Sequence, residues 1–263
     1  MANKVRFLIS DILDDSTVTA SSATSGLAAN NVRDQLVRKV YRTTGIVNEW
    51  IQLQVSGAET AAEVNAVFIG RHNFTVNATL LLQGNTTSTW TSGPALSTAL
   101  SVATDSQGNV IPKLAHFFSS VENHRFWRLY MEDSTNSSTY LELGRVMAGR
   151  YIEPDRNLRD GFRITHVDPS RISRTAGRQG YANTRPGYME MTYSVFDLDE
   201  DDFDELFGIY NTVGMHTAFM LALDPEERPH HNTIYCQFMN PMARQQRFLR
   251  QYNLQEITFQ EKN

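Results

Sequence analysis

Over the first 149 positions, apolar residues come in short runs separated by Ser, Thr, Asn and Gly, which predicts many short strands and no long amphipathic helix. Val5-Arg6-Phe7-Leu8-Ile9 reads as a first strand. In Trp50-Ile51-Gln52-Leu53-Gln54-Val55, Ile51, Leu53 and Val55 fall on one face and the glutamines on the other, the alternation of a half-buried strand. Residues 64–69 and 78–83 follow, with Gly84-Asn85 expected to close the second as a turn. Trp127, Leu129 and Met131 alternate with Phe126, Arg128 and Tyr130, and Tyr140-Leu141-Glu142-Leu143 ends at Gly144. Residues 86–108, rich in Ser, Thr and Gly, read as a long loop with at most one strand. Strands joined by polar loops at this spacing predict a β-sandwich.

Near Gly149 the pattern changes. Arg150, Arg156, Arg159, Arg163, Arg171, Arg174, Arg178 and Arg185 are interleaved with glycines up to Gly187, and a domain boundary is expected between residues 149 and 150. Residues 188–196 then alternate as a strand. A helix is expected over about 198–211, its acidic first turn followed by Phe203, Leu206, Phe207 and Tyr210 at helical spacing, with Gly214 to end it. Strands resume at 217–223, 234–238 and 254–260. The fold class is therefore mainly β with one helix.

The chain has 263 residues, a formal net charge of −5 and 20% charged residues. A phosphate-gripping role would need clustered Lys and Arg, which this balance argues against. Lys and Arg match Asp and Glu at 12 against 12 over residues 1–150 and fall short at 12 against 17 beyond, with seven carboxylates between Asp197 and Glu205. Of the basic residues 20 are Arg and 4 are Lys, and Arg is the cation better suited to packed interfaces. No apolar run approaches the ~20 residues that a membrane-spanning helix requires, so membrane insertion is not expected. The N-terminus lacks the long apolar middle of a signal peptide, which argues against Sec-type export. Cys236 stands alone, so no intrachain disulfide is available.

A search for reaction chemistry finds little. HExxH, the Gly-x-Ser-x-Gly elbow, the Walker loop and GxGxxG after a strand are all missing. His230-His231 with Glu226-Glu227 in a Pro-flanked loop could hold a metal, against the plainer reading of an exposed polar loop. Cys236 falls within a strand pattern and reads as a buried structural thiol. The acidic run lacks the glycine of an EF-hand loop and reads as the start of a helix, where carboxylates stabilise the N-terminal dipole. No catalytic residue, cofactor or metal ligand is assigned, and hydrolysis by paired carboxylates ranks third among the readings.

Three segments resemble discoidin-type, galactose-binding-like jelly rolls: Asn48-Glu49-Trp50-Ile51-Gln52-Leu53, residues 64–74 through Gly70-Arg71-His72-Asn73-Phe74, and Arg125-Phe126-Trp127-Arg128-Leu129-Tyr130. The resemblance implies a jelly-roll framework over residues 1–149, with any sugar contacts in loops. Taken whole, the chain resembles tail proteins of tailed bacteriophages and related particles. The carrying segments are Ala29-Asn30-Asn31-Val32-Arg33-Asp34, Val40-Tyr41-Arg42-Thr43-Thr44-Gly45, Tyr140-Leu141-Glu142-Leu143-Gly144-Arg145, Leu221-Ala222-Leu223-Asp224-Pro225 and the closing residues 254–259. That likeness implies a non-enzymatic distal-tail or tail-tip protein, built in the host cytoplasm and resident in the virion. Residues 150–263 would form a β-barrel related to tail-tube proteins and close into a homo-oligomeric ring, joining tail tube and hub, with DNA passing only as cargo. Arg156, Arg159, Arg163, Arg174 and Arg178 are the candidate subunit contacts. The alternative is a carbohydrate-binding module for host surface glycans, with Trp90 and Tyr140 as candidate sugar-stacking residues.

Overall fold

The computed structural model describes residues 4–56, 61–154, 163–174, 177–198, 200–248 and 251–262. Two compact units emerge, Met1–Glu153 with Phe219–Ile234, and Pro154–Ala218 with Tyr235–Asn263. The chain thus passes from one to the other three times, where the sequence pattern suggested a single division after Gly149.

The first unit contains β1 (Arg6–Leu8), β2 (Ser16–Ala20), β3 (Tyr41–Arg42), β4 (Glu49–Val55), β5 (Ala62–Ile69), β6 (Thr79–Asn85), β7 (Leu96–Leu100), β8 (Leu114–His124), β9 (Phe126–Glu132), β10 (Glu142–Leu143) and β11 (Val146–Gly149). Antiparallel pairing orders five of them as β2-β4-β9-β6-β7 and three as β11-β5-β8. The small pair β3-β10 lies apart from both sheets. This is a β-sandwich of jelly-roll character. Ile51, Leu53, Leu80, Leu82, Trp127, Leu129 and Met131 from one sheet share a buried core with Val64, Val67, Ile69, Leu114 and Val146 from the other. The alternation read in residues 50–55 and 126–131 is the physical cause, since only one parity of residues can face the second sheet.

In the second unit β12 (Arg163–Val167), β13 (Arg171–Arg174), β14 (Gly180–Asn183) and β15 (Tyr188–Leu198) precede α1 (Glu200–Val213). After β16 (Phe219–Ala222), which pairs with β1 in the first unit, come β17 (Thr233–Phe238), β18 (Arg244–Phe248) and β19 (Gln251–Glu261). β15 pairs with β12 and β19, and β19 also with β17 and β18, all antiparallel. Tyr193 stacks on Phe259 at 5.4 Å between ring centroids, and Phe259 meets Phe238 at 4.8 Å. Cys236 is buried in β17, and burial pushes its thiol well above the usual range, as befits a structural thiol.

Two local expectations change. α1 runs two residues later than its pattern suggested and buries Phe203, Leu206, Ile209 and Val213, leaving Phe207 and Tyr210 half-buried at the edge of that face. Spacing by three and four is satisfied by either set, and the sheet beneath decides between them. Gly214, at φ +56°, ends the helix as expected, its N–H donating to the Tyr210 carbonyl at 2.7 Å. Gly84, by contrast, lies inside β6 and ends nothing. A Cβ there would sit 2.2 Å from Cδ2 of His124, so the glycine serves close approach of the imidazole. Replacing it, as in Gly84→Ala, is expected to destabilise the protein by roughly 1–3 kcal/mol, the cost typical of overpacking a filled core. Urea unfolding would show this, and removing the obstructing ring with His124→Ala should recover part of the loss.

Candidate functional site

Three loops of the sandwich are stitched together around Tyr140. Thr43 N–H donates to the Leu141 carbonyl at 2.9 Å, and Leu141 N–H returns a bond to Thr43 Oγ1 at 2.8 Å. Asn73 spans to the same strip, its Nδ2 donating to the Tyr140 carbonyl at 2.9 Å and its Oδ1 accepting from Glu142 N–H at 2.7 Å. Asp133 accepts from Thr75 N–H and Oγ1–H, and its own N–H donates to the Ile46 carbonyl. Short polar side chains bonding to backbone are what allow such loops to hold one conformation.

On this frame Arg42 and Glu142, opposite each other across β3 and β10, form a forked pair: Nη2 and Nε donate to Glu142 Oε2 at 2.7 and 3.2 Å. Arg71 approaches the other carboxylate oxygen at 3.4 Å. The Glu142 side chain is only 9% exposed, whereas that of Arg71 is 49% exposed, so the cluster carries one net positive charge with its open end at Arg71. The hydrogen bond to Glu142 pushes Arg42 above the usual guanidinium range. Its guanidinium carbon also lies 4.0 Å from the centroid of the half-exposed Tyr140 ring. Thr139, just before that ring, has φ +60°, a left-handed conformation that a β-branched residue adopts only at a cost.

Trp90, the other aromatic singled out from sequence, has a different setting. Its indole N–H donates to Gln52 Oε1 at 2.7 Å, and its ring carries the Arg128 guanidinium at 4.3 Å. The two aromatics therefore belong to separate groups of partners and do not build one site. Of the arginines proposed as subunit contacts, Arg156 and Arg159 lie outside the described residues. Arg163 is exposed in β12, and Arg174 and Arg178 are exposed on the β13–β14 ribbon, Arg178 at φ +63°. Spacing offered no signal for Arg42, Arg71, Asn73 and Glu142 as a cluster, because they come from strands and loops up to a hundred positions apart.

No family model matches the chain, and no curated protein matches it. Among solved structures it is similar to the family 32 carbohydrate-binding module of C. perfringens NanJ in complex with galactose. The two are 11% identical, with 56% of this chain and 99% of that one covered and a TM-score of 0.40. It is also similar to chitosan-binding module 1 from a Paenibacillus chitosanase/glucanase, at 16% identity, covering 54% of this chain and 99% of that one with a TM-score of 0.39. The lectin domain of lectinolysin, solved with Lewis B antigen, is 19% identical, with 54% and 96% covered and a TM-score of 0.40.

The histidines read as a candidate metal loop have other occupations. Nδ1 of His230 accepts from Ala115 N–H at 3.2 Å, and Glu226 faces Arg6 at 3.6 Å. Among the described residues no group of three or more His, Cys, Asp or Glu is placed to hold a metal ion. His230 instead borders a cavity of about 160 Å³ with Ser101, Ala115, His116 and Pro225. Burial lowers His230, with His231 and His116 adding to the shift, and burial lowers His116 as well. His72, nearby in the same unit, is lowered to about 4 by burial and by His230, and its Nδ1 accepts from Phe74 N–H at 3.2 Å.

A lowered folded pKa means that between the ordinary value of 6.5 and about 4 the unfolded chain binds a proton that folded His72 refuses. Stability is then fully present above pH 6.5 and falls as the pH drops through that window, by up to roughly 3 kcal/mol for this group. The unfolding midpoint should decline between pH 7 and 4.5, and His72→Asn should flatten that decline.

Proposed function

We propose that the jelly-roll unit is a carbohydrate-binding module whose ligand site is the loop cluster of Arg42, Arg71, Asn73, Tyr140 and Glu142. The observation that carries this reading is the half-exposed Tyr140 ring held against the Arg42–Glu142 pair by three mutually bonded loops. A sugar presents one apolar C–H face and a rim of hydroxyls. Its recognition therefore calls for an aromatic surface beside planar, fixed donors and acceptors. Arg42 and Glu142 supply donors and acceptor in a locked fork, and Arg71 adds a half-exposed cation at the open end. Because the loops are already bonded to one another, little ordering cost falls on binding.

A glycan array followed by titration calorimetry tests the reading. The chain should bind a defined set of saccharides at micromolar to millimolar strength, and Tyr140→Ala should weaken binding at least about tenfold, the loss expected for removing a stacking group. Absence of neutral-saccharide binding by the folded chain, or neutral-saccharide binding indifferent to Tyr140→Ala, would refute it.

A second reading, a virion protein of the distal tail or tail tip that closes into a ring, is favoured by one observation in the other unit. The eight residues of β13 and β14 are all exposed, with Ile172 at 72% and Tyr181 at 61%, and two strands alone are marginally stable in water. The ribbon bears Arg171, Arg174 and Arg178, while the exposed start of α1 bears Glu200, Asp201 and Asp204. Ribbon and helix start are unlike, charge-complementary surfaces, which is what the head-to-tail contact of a ring requires. Native mass spectrometry should then show a closed oligomer that Arg174→Glu with Arg178→Glu dissociates; a monomer at all concentrations, alone and with tail partners, would count against it.

A further inference from the structure

The outer face of the five-stranded sheet bears a second group of side chains, distinct from the loop cluster. Gln52, Arg128, Gln83 and Ser97 stand opposite one another in a single row across β4, β9, β6 and β7, and Trp50, Tyr130 and Leu81 form the adjacent row. Trp90 folds back from the loop after β6 onto the first row, anchored by its bond to Gln52. Arg128 is thereby framed by aromatics, its guanidinium carbon 4.3 Å from the Trp90 ring and 6.0 Å from that of Tyr130. Its Nε donates to Gln83 Oε1 at 2.7 Å, which fixes the plane of the fork.

Arg128 forms no ion pair with a carboxylate among the described residues, and neither Nη group has a protein acceptor there. The nearby acid, Glu132, accepts instead from the Tyr130 hydroxyl at 2.8 Å. A half-buried cation with aromatic cover and no counter-ion favours an incoming anion, and the two free Nη groups form the edge that pairs with a carboxylate through parallel bonds. The aromatic neighbours suit a ligand that also has an apolar ring face.

We propose that this sheet face binds an acidic saccharide, with the carboxylate of a uronic acid residue on the Nη edge of Arg128 and its pyranose ring packed against Trp90. A single-stranded nucleic acid is the less suited occupant. Its phosphates would require several cations, and the outer positions of β4, β6 and β9 offer Arg128 beside the acidic Glu132.

The test is titration calorimetry of the full chain with a galacturonic acid pentamer, its methyl ester and a thymidine pentanucleotide. Binding of the acid at least about tenfold tighter than the ester is expected, the contribution of a charge-assisted forked pair. Arg128→Gln and Arg128→Lys should each erase most of that preference, the lysine variant because it keeps the charge and loses the fork. Trp90→Ala, in an exposed loop, should weaken acid and ester alike. Titrating the acid should also move the Trp90 indole N–H resonance. Tyr140→Ala should leave acid binding intact, so this site and the loop site fail or succeed independently. Equal affinity for acid and ester, a preference that survives both Arg128 variants in folded protein, an unmoved indole signal, or tighter binding of the oligonucleotide would each overturn the proposal.

Discussion

Burial of Trp127 between the two sheets of the jelly roll is the constraint from which most of the first unit follows. The side chain is 1% exposed, its indole N–H is satisfied by the His124 carbonyl at 3.1 Å, and the His124 ring meets it edge-on at 5.1 Å. A group this large and this completely enclosed fixes the parity of β9, because a slip of one residue would send Trp127 to solvent and Arg128 into the core. With that parity set, Leu129 and Met131 face inward, and Arg128 and Tyr130 must face outward. The cross-strand register then delivers Gln52 and Gln83 to either side of Arg128. A packing requirement has thus arranged a polar and aromatic outer surface.

A buried ion pair holds the chain's return to this sandwich. Arg145 lies 2.8 Å from Asp11 and also donates to the Arg33 carbonyl, while Asp11 accepts from Leu13 and Ala148 N–H at 3.0 Å each. Both side chains are almost fully enclosed, and burial raises Asp11 to about 7 against the lowering by Arg145. Each charge would be costly alone, and partner and backbone offset that cost in part, since Asp11 Oδ2 and Arg145 Nε have no hydrogen-bond partner among the described residues. The consequence is positional. β11 and the turn before it, directly after β10 ends at Leu143, are held to the segment between β1 and β2.

The strands easiest to read from sequence were those with one wet and one dry face. Ile51, Leu53 and Val55 announce β4 because Gln52 and Gln54 interrupt them. β5 announced itself less clearly, since it is buried on both faces from Val64 to Ile69 and its asparagine hides among apolar neighbours. β2 and β8 carry no such signal: Ser16-Thr17-Val18-Thr19-Ala20 has the composition of a loop and becomes a strand through pairing with β4, and the C-terminal half of β8 is polar. The candidate sugar-stacking residues illustrate the same limit. An aromatic in a polar loop suggests surface chemistry, but nothing near Trp90 in the chain points to Arg128, and nothing near Tyr140 points to Arg42.

By itself the sequence determined the class of the protein: a strand-rich chain with one helix after an acidic run, a lone buried thiol, and a change of character after residue 149. Those features depend on periodicity and composition, which act between neighbours a few positions apart. Tertiary structure alone decided that residues 219–234 join the first unit, that Gly84 makes room for a ring, and that Arg128 is left with an aromatic frame and no counter-ion among the described residues. Each of these depends on which strand lies beside which, and pairing between distant segments is chosen by the burial of the whole core, with no trace in the local order of residues.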